Sequence, residues 1–326
     1  MILNILIEKM SNFNYQPAEK PTFYYIGVTT TKSSIMKVFP KWAEYLDLGD
    51  TSFVGIDCKI HDDPKIYRKV VNFIKSDEKS LGALVTSHKI DLYDATIDLF
   101  DKIDPYTELL GELSCISKRK GELWAHAKDP ISSGLALESF IPKNHWKKSS
   151  AEIFIIGAGG ASLAVTTYIM ENFKKDNLPS RMYISNRSIP RLKKMKKIHK
   201  KANPGIPIEY LHHPYSADND KIVNSLKDGS LVINGTGSGK DFPGSPLTDA
   251  AEFPINGFVW DYNYRGDLLF LKQAKNQQKE KNLHIEDGWV YFLHGWTRAI
   301  AEVFHIKIPT SGPKFEEISK IALKVK

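Results

Sequence analysis

The chain has 326 residues, of which 42% are hydrophobic and 25% charged, a composition typical of a globular protein and not of a disordered one. Two cysteines, Cys58 and Cys115, are too few for a disulfide framework and indicate a reducing, cytoplasmic setting. No apolar run is long enough to span a membrane. The net charge of +7 comes from scattered lysines without a nucleic-acid motif, so we expect a small anionic substrate and an anionic cofactor as partners, and no nucleic acid.

Residues 1–21 form an extension that we expect to be disordered, with ordered structure beginning near Thr22. From there, apolar strands alternate with amphipathic helices, which predicts an α/β domain over 22–135. Its predicted elements are strand Phe23–Val28, helix Ser34–Leu46, strand Thr51–Asp57, helix Pro64–Ser76 and strand Gly82–Thr86. The last strand ends at Ser87-His88-Lys89, and the segment Pro130–Phe140 is expected to carry the chain into a second domain.

The strand Ile153–Ile156 runs into a glycine-rich turn and then a helix-forming segment. Gly157 permits a tight turn, Gly159 lets the backbone approach a pyrophosphate, and the small Ser162 lets helix and strand pack closely. The free N–H groups of the helix start would face the anion. Such a turn also occurs as a plain strand-to-helix connection. Here it predicts a doubly wound parallel-sheet (Rossmann) domain over 136–287, with cofactor contacts at Gly157, Ala158, Gly159, Gly160, Ala161 and Ser162.

A second strand, Met182–Ser185, ends in Asn186-Arg187-Ser188. An NAD site typically has an acidic residue there for the ribose hydroxyls, whereas Arg187 offers a planar fork that suits a phosphate. The sequence therefore predicts NADP as the cofactor. The expected contacts in this segment are Asn186, Arg187, Ser188 and Arg191, while most of the lysines that follow are interpreted as a solvated helix face.

Two further apolar segments, Leu231–Asn234 and Phe258–Tyr264, are predicted as parallel strands of the same sheet. The glycine-rich loop after the first adds Thr236 and Gly237 to the cofactor contacts, since ligands bind beyond the carboxyl ends of such strands. Residues 288–326 are expected to form a helical segment that packs back on the first domain. No histidine and cysteine spacing typical of zinc occurs, so no metal is expected.

The ordered set of motifs resembles the shikimate and quinate dehydrogenases. It comprises the loop Gly27–Ser34, Val85-Thr86 leading to Lys89, Gly111–Ile116, Asp129, the glycine turn, Asn186-Arg187-Ser188, Asn234-Gly235-Thr236, Asp261–Tyr264 and Asp287-Gly288. The resemblance implies an N-terminal substrate domain, a cofactor that is usually NADP, and a catalytic dyad of Lys89 and Asp129. Substrate contacts are expected at Ser33, Ser34, Thr86, His88, Ser114 and Tyr264.

The chemistry of alcohol oxidation asks for these residue types, because the hydroxyl proton must be removed as hydride leaves the carbon. Lys89 would carry that proton and Asp129 would orient it. Each residue also has a plain interpretation: Lys89 as a surface lysine that starts a helix, and Asp129 as a turn residue before Pro130. His88 is interpreted either as a substrate contact or as a satisfied hydrogen-bond partner.

Several family positions are changed in this chain. Where the family has His-Ser-x-Ser-Pro, this chain has Lys32-Ser33-Ser34-Ile35-Met36, and where the family has Asn-Val-Thr, it has Leu84-Val85-Thr86 with one residue fewer before the lysine. Two Asn-Thr pairs of the family are replaced by Ser114-Cys115 and by Ala127-Lys128. A glutamine of the family is replaced by Gly295. Lys32 and Lys128 either pair with an acidic substrate or are solvated. Losing hydroxyl-reading amides while keeping the dyad predicts redox chemistry on a different ring or acid.

We therefore expect an NADP-dependent oxidoreductase of the shikimate dehydrogenase type. It would transfer hydride reversibly between NADP(H) and a secondary alcohol or ketone of a small cyclic or polyhydroxy carboxylic acid. One alternative is shikimate dehydrogenase itself, which reduces 3-dehydroshikimate in aromatic amino acid biosynthesis. Another is a non-catalytic nucleotide-binding sensor. The oligomeric state is left open between a monomer and a homodimer.

Overall fold

The computed structural model describes residues 13, 15–202, 205–240 and 242–325. The chain divides into two compact units, the first comprising the residues up to 128 together with 295–326, and the second comprising 129–294. The boundaries expected from the sequence fell after residues 135 and 287. Within the described ranges, no helix combines the length and apolar character needed to cross a membrane.

The first unit contains a six-stranded mixed sheet. Its strands are β1 Thr22–Gly27, β2 Ser52–Asp57, β3 Ser80–Val85, β4 Lys102–Ile103, β5 Cys115–Arg119 and β6 Glu122–His126, in the order β2-β1-β3-β5-β6-β4. Strands β2 and β3 pair in parallel with β1, whereas β5 runs antiparallel to β3 and to β6. Strand β4 pairs in parallel with β6, and the sequence predicted β1, β2 and β3 but not the other three strands.

The helices of the first unit cover its sheet. They are α1 Ile35–Tyr45, α2 Pro64–Ser76, α3 Lys89–Thr96 and α4 Pro105–Leu110, with 3₁₀ turns at Thr30–Lys32 and Ile97–Leu99. Helix α2 begins where predicted, because the Asp63 carboxylate accepts a 2.9 Å hydrogen bond from the Lys65 N–H and Pro64 occupies the first turn. Its buried face includes Val70 and Ile74, each worth about 1.5 to 3 kcal/mol on burial.

The N-terminal extension differs from the expectation of disorder in its described part. The Phe13 ring meets Tyr15, Tyr24 and Phe73 edge-on at centroid distances of 4.9, 5.8 and 5.4 Å. Lys69 lies 4.0 Å from the centroid of the Tyr15 ring. Aromatic packing therefore holds this segment on the core of the first unit, and the prediction for residues 1–12 and 14 lies outside the described residues.

The C-terminal part of the chain completes the first unit. Helix α11 (Trp289–Val303) belongs to this unit from Gly295 onward, and helix α12 (Pro313–Leu323) follows it. The ring of Trp296 lies 5.2 Å from that of Tyr25, and the Trp42 indole donates a 2.9 Å hydrogen bond to the Ile318 carbonyl.

The second unit is a doubly wound domain, as predicted. Its strands are β7 Ile153–Ile156, β8 Met182–Asn186, β9 Ile208–His212, β10 Leu231–Asn234, β11 Phe258–Asp261 and β12 His284–Glu286. All neighbours pair in parallel, in the order β9-β8-β7-β10-β11-β12. This is the strand order of a dinucleotide-binding sheet, in which the order reverses between β7 and β10.

In the part of the chain that the structure describes, six helices lie wholly within this unit. They are α5 Asp129–Phe140, α6 His145–Lys148, α7 Gly160–Asn172, α8 Ile189–Ala202, α9 Ser216–Val223 and α10 Leu269–Lys281. The central strands β7 and β10 are buried at every residue, which agrees with the apolar runs Ile153–Ile156 and Leu231–Ile233. The predicted α/β fold class is confirmed.

Candidate functional site

A cleft of about 430 Å³ opens in the second unit at the carboxyl ends of four adjacent strands. Its lining comes from the segments after β7, β8, β9 and β10: Ile156–Gly159, Ser185–Arg187 with Arg191, His213–Ser216 with Asn219, and Gly235–Ser238 with Phe242, Ser245 and Pro246. Doubly wound sheets bind their ligands at this edge, where the strand order reverses.

The glycine turn after β7 is sterically constrained. Gly157 has φ +113°, and a Cβ added there would lie 2.8 Å from the Gly235 carbonyl oxygen. Gly159 is the N-cap of α7, and a Cβ there would meet nothing within 4 Å, so this side of the turn is open. A Cβ on Gly235 would lie 2.1 Å from the Ser162 hydroxyl. Ser162 thus sets the close packing of helix and strand, as its small size predicts.

The end of β8 presents arginine to the cleft. The Asn186 side-chain oxygen accepts a 2.7 Å hydrogen bond from the Ser188 N–H, which shapes the turn. Arg187 is exposed, with its guanidinium carbon 5.6 Å from the centroid of the Phe242 ring, and Arg191 lines the cleft from the first turn of α8. No aspartate or glutamate of the described chain lines it. These charges favour an anionic ligand with a phosphate near Arg187.

The predicted cofactor residues divide into two groups. Those that line the cleft are Gly157, Ala158, Gly159, Asn186, Arg187, Arg191, Thr236 and Gly237. Of the described residues, those predicted but absent from the lining are Gly160, Ala161, Ser162 and Ser188. The first three form the first turn of α7, where they position the backbone.

The side of the cleft that follows β9 was not predicted from the sequence. The residues that were not predicted include His213, Pro214, Tyr215, Ser216, Asn219 and Phe242. Most of them follow β9, a strand that was not predicted, so its loop could not be placed beside Arg187. Tyr215 is 73% exposed, and no local pattern in the sequence marks it as part of the cleft.

In the first unit, several predicted residues gather at the carboxyl ends of β1 and β3. The Thr86 N–H donates to the Ile26 carbonyl at 3.0 Å, and the Ser114 carbonyl accepts from the Val85 N–H at 2.8 Å. Lys89 begins α3, is half-buried, and its carbonyl accepts a 3.1 Å hydrogen bond from the Leu113 N–H. The segments that carry Thr86, Lys89 and Ser114 are thereby held together.

Ser33 and Ser34 lie half-buried after the 3₁₀ turn that follows β1. The Ser33 N–H donates to the Thr30 carbonyl at 2.9 Å, and Ser34 is the N-cap residue of α1. Lys32 beside them is exposed, which fits the solvated interpretation of that lysine.

His88 is fully buried, and among the described residues its Nδ1 has a hydrogen-bond partner whereas its Nε2 has none, so the interpretation as a satisfied partner holds for one ring nitrogen only. Its Nδ1 lies 3.1 Å from the Tyr67 hydroxyl, and burial lowers the pKa of the His88 imidazole. Ser114 is also buried, and its hydroxyl accepts a 2.8 Å hydrogen bond from the Lys128 N–H. The Lys128 amine lies 2.6 Å from the Glu302 carboxylate, so it is paired within the protein and is neither solvated nor free for a substrate.

Asp129 and Tyr264 belong to the second unit. Asp129 begins α5 and is 7% exposed. Burial raises the pKa of the Tyr262 hydroxyl, and the carboxylate of Asp129 adds to that effect. The Tyr264 ring packs on Phe292 at 5.1 Å between centroids.

Comparison with known proteins relates this arrangement to a family. The chain is 25% identical over 213 residues to the NADP(+) shikimate dehydrogenase of Lactococcus lactis, a match that covers 62% of this chain and 71% of that protein. It is 28% identical over 228 residues to the corresponding enzyme of Nitrosopumilus maritimus, covering 67% and 70%. The chain is a divergent relative of the shikimate dehydrogenases. No family model matches it.

Solved shikimate dehydrogenases share the fold. The shikimate 5-dehydrogenase of Listeria monocytogenes, crystallised with shikimate and NAD, matches with a TM-score of 0.71 at 18% identity, over 95% of this chain and 99% of that one. The resemblance predicted from the motifs is confirmed, and the low identity agrees with the departures in the substrate segments.

Proposed function

We propose that the protein is an NADP-dependent oxidoreductase of the shikimate dehydrogenase type. It transfers hydride reversibly between NADP(H) and a secondary alcohol or ketone of a small cyclic or polyhydroxy carboxylic acid. The observation that carries this proposal is the cleft of the second unit, where a glycine turn, a helix N-terminus and two arginines meet at the edge of a parallel sheet.

The residues of this cleft fit a phosphorylated dinucleotide. The open side of Gly159 and the N-terminus of α7 would hold the pyrophosphate, since the backbone there can be approached without a side chain in the way. Arg187 and Arg191 would hold the 2′-phosphate. When bound, the nicotinamide supplies or accepts the hydride.

Lys89 and Asp129 are assigned the proton chemistry. In the oxidation direction the Lys89 amine accepts the proton of the substrate hydroxyl, and in the reduction direction the ammonium returns it to the developing alkoxide. Asp129 orients the reacting hydroxyl. Support comes from the match of both positions to the family's motifs and from their places at the first residues of α3 and α5.

The substrate is proposed to differ from shikimate. Buried polar groups that read substrate hydroxyls impose strong preferences, and this chain has replaced several of the family's amides, for example by Ser114 and Gly295. Among the predicted contacts, His88 and Ser114 are buried and hydrogen-bonded within the protein. The matches to proteins named shikimate dehydrogenase favour that enzyme as the second candidate.

A panel assay tests the proposal. Shikimate, quinate and other cyclic and open-chain hydroxy acids are incubated with NADP⁺, their keto forms with NADPH, and NADPH absorbance is followed. We expect turnover of at least one hydroxy acid, with shikimate a poor substrate. A specificity constant for shikimate of about 10⁴ M⁻¹s⁻¹ or more would instead identify shikimate dehydrogenase. NADPH binding without turnover of any compound would favour a sensor.

We further propose a cytoplasmic location and a monomer or homodimer as the working form. Cys58 and Cys115 are both buried free thiols, and burial raises the pKa of the Cys58 thiol to about 12, which keeps it protonated and unreactive. Such thiols fit a reducing compartment. Sedimentation equilibrium distinguishes the two assembly states.

A further inference from the structure

His213 is the first residue after β9, and it lines the same cleft as Arg187 and Arg191. Its backbone N–H donates a 3.2 Å hydrogen bond to the carbonyl of Asn186, the residue before Arg187. The side chain is half-buried. The titratable ring of His213 thus lines the same cleft as two arginines, and no acidic side chain of the described residues lines that cleft.

The hydrogen bonds of Asn219 fix the tautomer of His213. The Asn219 amide nitrogen donates to the Pro246 carbonyl at 2.9 Å, so its oxygen is the atom that faces Ser185 and His213. That oxygen accepts from the Ser185 hydroxyl at 2.7 Å and lies 3.0 Å from His213 Nδ1. Nδ1 must therefore carry the hydrogen, and Nε2 is the nitrogen that gains or loses a proton.

The strand order places His213 at the adenosine end of the cleft. The glycine turn follows β7, Arg187 ends the next strand β8, and His213 follows β9, one strand further from the turn. A dinucleotide whose pyrophosphate lies at the turn brings its ribose 2′ position to the end of β8. His213 is thus on the far side of Arg187, where the 2′-phosphate would lie.

The charged and titratable groups around His213 come from the end of β8, from α8, from α9 and from β9. Arg187 and Arg191 face the cleft from the end of β8 and from α8, and the exposed Tyr215 follows on the same loop. On α9, the Asp218 carboxylate lies 3.0 Å from the Lys221 amine, and hydrogen bonding by Lys221, with a smaller contribution from His213, lowers the pKa of Asp218. His212 Nε2 lies 3.2 Å from the Arg187 carbonyl oxygen.

Resting on the proposed function, we propose that His213 takes up a proton when NADP(H) binds and donates a hydrogen bond from Nε2 to the 2′-phosphate. A phosphate bound among these groups would favour a positive charge on the His213 ring. Because the proton then binds more tightly in the complex than in the free protein, affinity for NADP(H) rises as the pH falls through the range in which histidines titrate. His213 is thus a pH-dependent determinant of cofactor preference.

The test compares the wild-type protein with His213→Asn, whose amide can still donate to Asn219. Dissociation constants for NADPH and NADH are measured by calorimetry at about pH 6 and about pH 8, on either side of the histidine titration range. The 2′-phosphate also titrates near pH 6, and its ionisation in the free cofactor is common to both proteins and cancels in their ratio. His212→Asn serves as the control for the neighbouring ring.

We expect the wild type to bind NADPH roughly tenfold more tightly than His213→Asn at about pH 6, and roughly equally at about pH 8. The ratio for NADH should stay near one, and His212→Asn should keep the wild-type pH dependence. An NADPH ratio that does not change with pH, an equal change for NADH, or a loss of the effect in His212→Asn overturns the proposal. Absence of all dinucleotide binding to the wild type would instead overturn the proposed function itself.

Discussion

The side-chain amide of Asn234, the last residue of β10, donates a 3.1 Å hydrogen bond to Oδ1 of Asp261, the last residue of β11. Oδ1 also accepts from the Asn263 N–H at 2.9 Å, whereas Oδ2 has no hydrogen-bond partner among the described residues. The Asn234 oxygen in turn accepts from the N–H and the hydroxyl of Thr236 at 3.0 and 2.6 Å. A buried carboxyl group thus supports the loop that forms one wall of the cleft.

The free energy of unfolding of Asp261→Asn, measured relative to that of the wild type, should increase as the pH rises. Burial raises the pKa of Asp261 to about 7, whereas an aspartate in an unfolded chain titrates near 3.9. Between these values the folded state holds a proton that the unfolded state has lost, so the wild type loses stability with increasing pH, by about 4 kcal/mol in all. Asparagine does not titrate and escapes this loss.

Urea unfolding at about pH 5 and about pH 8, between which about 2.5 kcal/mol of this loss falls, checks the prediction. Asp176→Asn is the control, because Asp176 is an exposed acid of the same unit whose pKa is lowered by its hydrogen bond with Lys147. The same stability difference between wild type and Asp261→Asn at both pH values would show that the Asp261 carboxyl is not held neutral.

Arg187→Ala should remove most of the preference for NADP(H) over NAD(H). A charge-assisted contact with a phosphate is worth about 1.5 to 3 kcal/mol, or roughly ten- to a hundredfold in affinity. Calorimetry with both cofactors measures the preference. Arg181→Ala is a matched control. Arg181 immediately precedes β8, forms a salt bridge with Glu209 and does not line the cleft. Equal affinities of the wild type for the two cofactors would contradict the assignment.

Local sequence signals predicted those parts of the fold that local interactions determine. Helix α2 was predicted at its observed bounds because Asp63 and Pro64 mark its start. Strands β7 and β10 were recognised because both their faces are buried. Strand β9 was missed, since Ile208–His212 is partly exposed and mixes polar with apolar residues, and the loop carrying His213 was missed with it.

The partners of His88 and Lys128 could not be predicted from the sequence, because they are far away along the chain. His88 adjoins Lys89 in sequence, yet it is buried against Tyr67, a residue of α2. Lys128 was considered as a substrate contact or a solvated lysine, but it pairs with Glu302, 174 residues away. Neither partner can be identified from spacing along the chain, because tertiary packing alone brings them together.

Substitutions at Gly157 and Gly159 should have different effects. Gly157→Ala places a methyl group 2.8 Å from the Gly235 carbonyl oxygen, at a residue with a positive φ. The resulting strain of about 1 to 3 kcal/mol should lower stability and dinucleotide affinity together.

In Gly159→Ala the added methyl group meets no protein atom within 4 Å, and φ at this residue is −94°, so stability should be retained. Its methyl group would instead obstruct the ligand, and NADPH should bind roughly tenfold more weakly. Thermal unfolding and calorimetry on both variants separate these effects, and unchanged NADPH affinity in Gly159→Ala would exclude a close approach of the pyrophosphate to this turn.

Lys89→Ala and Asp129→Asn should each reduce turnover by about a hundredfold or more, the usual scale for groups that move or orient a proton. NADP(H) affinity should stay nearly unchanged, since neither residue lines the dinucleotide cleft. The double variant should be little worse than the worse single one, because residues that act as a unit are not additive. Asp94→Asn, an exposed acid on the same helix as Lys89, is the control and should turn over normally. Steady-state kinetics on the best substrate of the panel decide the matter, and near-normal turnover in Lys89→Ala would refute the dyad.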